Sequence, residues 1–396
     1  MYRLDIALAV PGLPFQGDTL ETKSLGGSET AGLCLARELA KLGHYITVFS
    51  NCEKPGIYDG VNYQHLNGWG VFAALNQYDV AIIQRAPELF AGKLGSKANI
   101  LWCHDLPLLR QAAEFKGVMW NVDRVAVLSQ FMFDKYKDVY GLTDVLWKTR
   151  NGIDLKLFEG LDKLPRNRKQ LVYCARPERG LDILLRDIFP KLLAKDPEIS
   201  LAIAGYDNQV EHMREFYGEI GGLINLYGDR VKWHGFLTKK KLYELYATSG
   251  VYVYPTPSPT NKEFAEISCI TAMECQAAGL PIVTSDRGAL RETIGEGCGT
   301  LIDGDPWSQE YQAMFVDAVM GYIDNNALFE ETSGNALAYA GSLGWSAVAE
   351  EWSDQFIKII ESKNTNPYTL ARHFIRQSDI VVARELLLKQ VDIAMR

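Results

Sequence analysis

Glu266 and Glu274 stand in the stretch Asn261-Lys-Glu-Phe-Ala-Glu-Ile-Ser-Cys-Ile-Thr-Ala-Met-Glu-Cys-Gln-Ala-Ala-Gly-Leu-Pro-Ile-Val-Thr284, with seven residues between them. A Pro/Thr/Ser loop, residues 254–260, runs into an apolar helical pattern that stops at Gly279-Leu280-Pro281. A helix start holds a phosphate through its unpaired amides. Carboxylates on either side accept hydrogen bonds from hydroxyls. The pattern therefore suits a ligand with a phosphate centre and hydroxyl-bearing ends. If residues 266–274 form one helix, the two carboxylates lie about 12 Å apart along the axis and about 80° apart around it. A glycosidase pair needs about 5–9.5 Å across one bond, so the spacing predicts two grips on a long ligand. The apolar neighbours Ile267, Cys269, Ile270, Ala272, Met273 and Ala277 argue against an exposed helix side.

Three further constellations fit such a ligand. Arg176 and Arg179 flank Pro177 after a strand-like run, and Gly180 opens an apolar helix pattern. Paired guanidiniums neutralise a diphosphate and stabilise the charge that grows as a diphosphate leaves; a pair of surface arginines is the other reading. His104 and Asp105 follow the strand-like run at residues 99–102. A histidine there exchanges hydrogen bonds with a sugar hydroxyl, or caps the next helix. In Ser24-Leu-Gly-Gly-Ser-Glu-Thr30, Gly26 and Gly27 let a backbone approach a ligand closely. Ser28 is the expected N-cap of the following helix, although Gly-Gly-Ser also makes an ordinary turn. A nucleotide sugar has the required phosphate centre and hydroxyls.

Other motifs carry less. Lys239-Lys240-Lys241 after Thr238 reads as a solvated helix start. Asp303-Gly304-Asp305 reads as a tight turn after a short strand rather than a metal site. No helix pattern follows Gly295-Glu-Gly-Cys-Gly299, so a nicotinamide-binding fingerprint is poorly supported.

Strand-like apolar runs recur at residues 5–10, 45–50, 79–84, 99–102 and 124–129, then at 170–175, 200–205, 230–235, 250–255 and 280–285. Most are apolar on both faces, as buried parallel strands are. Helical patterns between them imply βαβ units. Two groups of five predict two doubly wound domains, with the ligand site at the carboxyl ends of the strands in the cleft between them. The expected division is residues 1–152 and 153–344, near the turn signal Asn151-Gly152. Residues 345–361 form an amphipathic helix with Val348, Trp352, Phe356, Ile357 and Ile360 on one face. Residues 362–396 read as a helical tail that packs on the body or docks a partner, packing being favoured.

At 396 residues the chain exceeds one ordinary core. A net charge of −8 argues against broad binding of nucleic acid or anionic membranes. With no run of 18 apolar residues and no basic start, neither a spanning helix nor a secretory signal is expected. Seven scattered cysteines, with no Cys-x-x-Cys pair, read as reduced thiols of a cytoplasmic protein.

In order along the chain, Gly26-Gly27-Ser28-Glu29, His104-Asp105, Asn151-Gly152-Ile153-Asp154, Arg176 with Arg179-Gly180-Leu181, His234-Gly235-Phe236 and the Glu266/Glu274 pair resemble the motifs of family 4 retaining glycosyltransferases. The resemblance covers residues 4–360. It implies a GT-B fold: an α/β protein of two Rossmann-like domains facing a cleft, with a C-terminal helix crossing back to the first domain. The first domain would take the acceptor and the second the nucleotide-diphosphate sugar, with no metal or other cofactor. By position, Glu274 would hold ribose hydroxyls and Glu266 hydroxyls of the transferred sugar. Amides around Ile267, Ser268 and Cys269 would meet the phosphates, and Arg176 and Arg179 would neutralise them. Phe236 and Leu237 would lie at the base. Gly27 would approach the phosphate and His104 the sugar, with Gly26 a further substrate-binding position. Two departures stand out: relatives carry a lysine five residues after the arginine, and a glycine-rich turn where this chain has Ile267-Ser268-Cys269. Either Arg179 replaces the lysine or one cation serves.

The sequence thus predicts a metal-independent retaining transferase acting on a UDP-glucose or GDP-mannose type donor and an unspecified acceptor hydroxyl on a saccharide, protein or small molecule. An epimerase-like enzyme of the same fold and a non-catalytic nucleotide-sugar-binding module are the alternatives.

Overall fold

The computed structural model describes residues 3–23, 25–205, 213–365 and 384. The expected tail helices and Ser24 lie outside them, as does the whole of 366–396 except Arg384. The chain divides into two compact units. The first holds residues 1–19, 25–150 and 345–396; the second holds 20–24 and 151–344.

The first unit is built on an eight-stranded sheet. Its strands are β1 (Asp5–Val10), β2 (Tyr45–Ser50), β3 (Gly56–Tyr58), β4 (Val61–His65), β5 (Tyr78–Gln84), β6 (Ser96–Trp102), β7 (Arg124–Val127) and β8 (Leu146–Lys148). The spatial order is β3-β4-β2-β1-β5-β6-β7-β8. Every pairing is parallel except the short hairpin of β3 with β4. The central strands β1 and β5 are fully buried over most of their length, which is why they are written in Ile, Leu, Ala and Val. β3, β4 and β8 are additions to the expected five strands. Their alternating polar residues and short length give no continuous apolar run.

The helix Trp345–Thr365 belongs to this unit, packing on the helix Gly27–Lys41 and on β6. Trp352 is fully buried, its ring centroid 4.9 Å from Trp102 and 4.7 Å from Trp147. Its indole N–H donates to Thr149 Oγ1 at 2.8 Å. Ser353 Oγ lies 2.9 Å from His44 Nε2, and Lys363 forms a buried ion pair with Asp123 at 2.7 Å. Val348 and Phe356 also face inward, while Ile357 and Ile360 are half-buried and Ile359 is buried instead.

The second unit carries a six-stranded parallel sheet. Its strands are β9 (Asn167–Tyr173), β10 (Ser200–Ala204), β11 (Val231–Gly235), β12 (Ser249–Tyr254), β13 (Ile282–Ser285) and β14 (Gly299–Ile302), in the order β11-β10-β9-β12-β13-β14. The order reverses between β9 and β12, just as it reverses between β1 and β5 in the first unit. Right-handed crossovers from two such neighbours run to opposite faces. The loops after them therefore part and open a crevice at the carboxyl edge. Among the described residues no helix is long and apolar enough to cross a membrane.

Candidate active site

In the second unit the loops after β9 and β12 deliver most of the candidate residues. Arg176 and Arg179 bracket a short 3-10 turn, Pro177–Arg179, directly after β9. The two guanidiniums diverge. Arg176 Nη1 lies 3.6 Å from Glu178 Oε1, and Glu178 also accepts from Tyr217 Oη at 3.0 Å. Arg179 lies over the Phe264 ring at 4.4 Å and places Nη1 3.5 Å from Glu266 Oε1. The same Glu266 oxygen accepts from Tyr254 Oη at 2.7 Å. Tyr254 ends β12 and is fully buried; burial and the Glu266 charge both hold its phenol above the ordinary range, so it stays a donor.

Glu266 precedes the helix rather than lying on it. The helix runs over Ile270–Ala277, with Cys269 as N-cap and no side-chain cap bond. The premise of one helix over residues 266–274, and the 12 Å spacing derived from it, is therefore corrected. Ile267, Ser268 and Cys269 are a non-helical lead-in, and Asn151 Nδ2 donates to the Ser268 carbonyl at 3.4 Å. The Glu266 carbonyl accepts from Ala289 N at 2.7 Å. Gly288, at φ +61°, makes that approach possible, because a Cβ there would lie 2.4 Å from the Glu266 oxygen.

Glu274 sits inside the helix and is 2% exposed. Its Oε1 accepts from Tyr243 Oη at 2.8 Å and pairs with Lys239 Nζ. Tyr243 is itself stacked on Phe158 at 4.1 Å. Lys239 opens the helix Lys239–Thr248 after Thr238, so this half-buried member of the lysine cluster pairs with a buried carboxylate rather than lying on the expected solvated face. Phe236 and Leu237, both half-buried, form the short link between β11 and that helix. One oxygen of each glutamate is thus held by a cation and a tyrosine, and Oε2 of each makes no hydrogen bond among the described residues.

In the first unit, the residues after β1, β5 and β6 gather around the start of the helix Gly27–Lys41. Gly26 is its N-cap and Ser28 lies inside the first turn, which corrects the expected Ser28 cap. No side chain caps this helix; the buried Glu29 of its first turn instead ties down the preceding loop, its Oε1 accepting from Leu13 N at 3.1 Å and its Oε2 from Ser28 Oγ at 3.0 Å. A Cβ on Gly26 would meet Glu29 Oε2 at 2.3 Å, which explains the glycine. Arg85 follows β5 with a left-handed φ of 63°, a costly conformation for a side chain of that size. It grips Asp105 with two nitrogens, at 2.7 and 3.2 Å, and approaches Ser28 Oγ at 3.3 Å. His104 caps no helix. Its Nε2 lies 2.7 Å from Gln84 Nε2, and its ring packs on Trp102 at 4.6 Å. Burial first, and the Arg85 charge second, pull His104 down to about 3, so it is neutral in ordinary buffers.

Sequence reasoning passed over Tyr254, Tyr243, Phe264, Gln84 and Arg85. The signal for Tyr254 and Gln84 was position, a polar group closing an otherwise apolar strand run, whereas Tyr243 lies inside the helix Lys239–Thr248 and carries no such mark. None of the seven cysteines is in a disulfide, and five are buried. Among the described residues no three His, Cys, Asp or Glu side chains are grouped to hold a metal ion.

Two loop crevices at sheet switch points, one furnished with buried glutamates and half-buried arginines, belong to an α/β fold of the GT-B type. Solved structures agree on the fold. Sucrose-phosphate synthase from Thermosynechococcus elongatus superposes with a TM-score of 0.72 at 17% identity, over 91% of this chain and 100% of that one. Anabaena Alr3699/HepE in complex with UDP-glucose gives 0.68 at 14% identity, over 90% and 100%. Residues 168–321 match the family model described as glycosyl transferases group 1. D-inositol 3-phosphate glycosyltransferase 2 of Catenulispora acidiphila is 26% identical over 332 residues, 78% of this chain and 73% of that protein. Phosphatidyl-myo-inositol mannosyltransferase of Mycobacterium tuberculosis is 27% identical over 208 residues, and the chain spans about half (51%) of its length. The likeness to group 1 glycosyl transferases thus lies in residues 168–321 of the second unit, and the fold is of the GT-B type.

Proposed function

We propose that the protein transfers a hexose from a nucleotide-diphosphate sugar, of the UDP-glucose or GDP-mannose type, to an acceptor hydroxyl with retention and without a metal ion. One observation carries this reading. Two buried glutamates flank the start of the Ile270–Ala277 helix, each with one oxygen tied to a cation and a tyrosine. Tying one oxygen fixes the carboxylate's direction and leaves the other for a ligand hydroxyl. Glu274 takes the ribose hydroxyls and Glu266 those of the hexose. The amides of Ile267, Ser268 and Cys269, opening the helix, take the diphosphate between them. Phe236 and Leu237 border the base.

Arg176 and Arg179 are the cations for the leaving diphosphate. Arg179 pairs with Glu266, four residues before the helix, and Arg176 pairs with Glu178 in its own turn, which supports cations oriented before a ligand arrives. As the anomeric bond breaks, negative charge grows on the phosphate oxygen, and fixed cations stabilise that state more than the ground state. The acceptor hydroxyl attacks from the face the diphosphate leaves. The departing phosphate oxygen takes its proton, so no protein base is required. Within the first unit taken by itself, Gly26 and Gly27 offer a backbone that a ligand can approach closely, and the neutral His104 offers a hydrogen bond to a ligand oxygen.

A thermal-shift screen with UDP, GDP, UDP-glucose and GDP-mannose tests the reading. A nucleotide present at about 100 times its Kd stabilises the protein by about 2.7 kcal/mol. One nucleotide pair is expected to shift the melting temperature, and its sugar form to be consumed to free nucleotide in the presence of chelator. No shift with any of the four would overturn the proposal.

A further inference from the structure

Gln84, the last residue of β5, is completely buried. Its amide nitrogen donates to the Ser28 carbonyl at 2.8 Å. A carbonyl only accepts, so the amide orientation is fixed: nitrogen towards Ser28, oxygen away. The oxygen Oε1 then lies buried without a hydrogen-bond partner. An orphaned buried acceptor is costly, and a Leu or Met of similar size would avoid that cost. The arrangement is explained by where the second N–H goes. The same nitrogen lies 2.7 Å from His104 Nε2. An amide nitrogen has no lone pair to offer, so His104 Nε2 must be the acceptor and the ring proton must sit on Nδ1.

We propose that Gln84 is a positioning residue that locks His104 as the neutral tautomer with its proton on Nδ1, so that His104 meets its ligand solely as a hydrogen-bond donor. Nδ1 has no hydrogen-bond partner among the described residues, which leaves that N–H for a ligand. The group it meets must be an acceptor: a hydroxyl oxygen or a phosphate oxygen. That this group belongs to the donor sugar rests on the function proposed above; the tautomer itself does not. An imidazolium would place an N–H against the Gln84 N–H.

The test uses the full chain labelled with 15N-histidine, without ligand, at neutral pH. Two-bond nitrogen–proton spectra separate protonated from unprotonated ring nitrogens, and His104→Asn assigns the resonance by its loss. The expected result is a protonated Nδ1 and an unprotonated Nε2 for His104. In Gln84→Met the Nε2 signal shifts towards a tautomer mixture. In Gln84→Glu, whose carboxylate can only accept at neutral pH, Nε2 becomes protonated. A protonated Nε2 in the unsubstituted protein, or a Gln84→Met spectrum identical to it, overturns the proposal. If either variant fails to fold, the unsubstituted spectrum still decides. A negative donor screen leaves this result untouched, so the two readings fail separately.

Discussion

At the scale of residues, Glu274 joins two roles in one carboxylate. Lys239 and Tyr243 compensate its burial through Oε1, and the proposed ribose contact uses the rest. Hydrogen bonds to a charged group contribute about 1.5–3 kcal/mol. Glu274→Ala is therefore expected to weaken binding of the nucleotide selected by the thermal-shift screen by about 10- to 100-fold in isothermal titration calorimetry. Unchanged affinity in a folded variant would remove the ribose role. His104 gives a second expectation, in stability. Its folded pKa of about 3 lies below the ordinary histidine value of 6.5. Between those values the unfolded chain binds a proton that the folded chain does not. Its contribution is fully present above about pH 6.5 and is lost as pH falls towards 3, with a slope of at most about 1.4 kcal/mol per pH unit. Denaturant midpoints measured across that range should fall less steeply in His104→Asn. An equal slope would mean that the histidine is not held neutral.

At the scale of elements, the ten apolar runs read from the sequence each coincide with a strand, because buried parallel strands need apolar residues on both faces and say so in composition. β3, β4 and β8 escaped because short, half-polar strands carry no such run. The start of the Ile270–Ala277 helix escaped for a different reason. Ile267, Ser268 and Cys269 are compatible with a helix locally, and only a distant backbone decides against it. The Glu266 carbonyl is taken by Ala289 N, which a helical hydrogen bond would have used. Contacts such as Arg179 with Glu266, 87 residues apart, or Gln84 with His104, 20 apart across two strands, carry no local signature at all. This backbone clasp makes an element-scale prediction. Gly288→Ala puts a Cβ 2.4 Å from the Glu266 oxygen at a positive φ, so the loop must shift. The variant should lose about 1–3 kcal/mol of stability. Its donor turnover should fall further than its nucleotide affinity, because Glu266 is assigned to the hexose and Glu274 to the ribose. Equal loss of both would show that the clasp does not act through Glu266.

At the scale of the whole molecule, the chain order and the compact units do not coincide. The second unit is essentially one continuous segment, 151–344, whereas the first needs residues 345–365 returned to it. The returning helix is not a surface addition. Trp352 fills a fully buried place between Trp102 and Trp147, and Lys363 supplies the cation for the buried Asp123, which also accepts from Asn99 N at 2.8 Å. Removing a large buried aromatic costs about 3–5 kcal/mol. Removing one member of a buried ion pair costs about 3–5 kcal/mol more. The two together approach the whole stability of an ordinary domain, about 5–15 kcal/mol. A chain ending at Gly344 is therefore expected to keep a folded second unit beside an unfolded first one. Limited proteolysis should digest residues 1–150 and spare a fragment close to 151–344, and that fragment should still bind the nucleotide chosen by the full chain. Lys363→Met in the full chain should lower the first unit's unfolding midpoint alone. Protection of residues 1–150 in the shortened chain would show that the first sheet stands without its C-terminal helix.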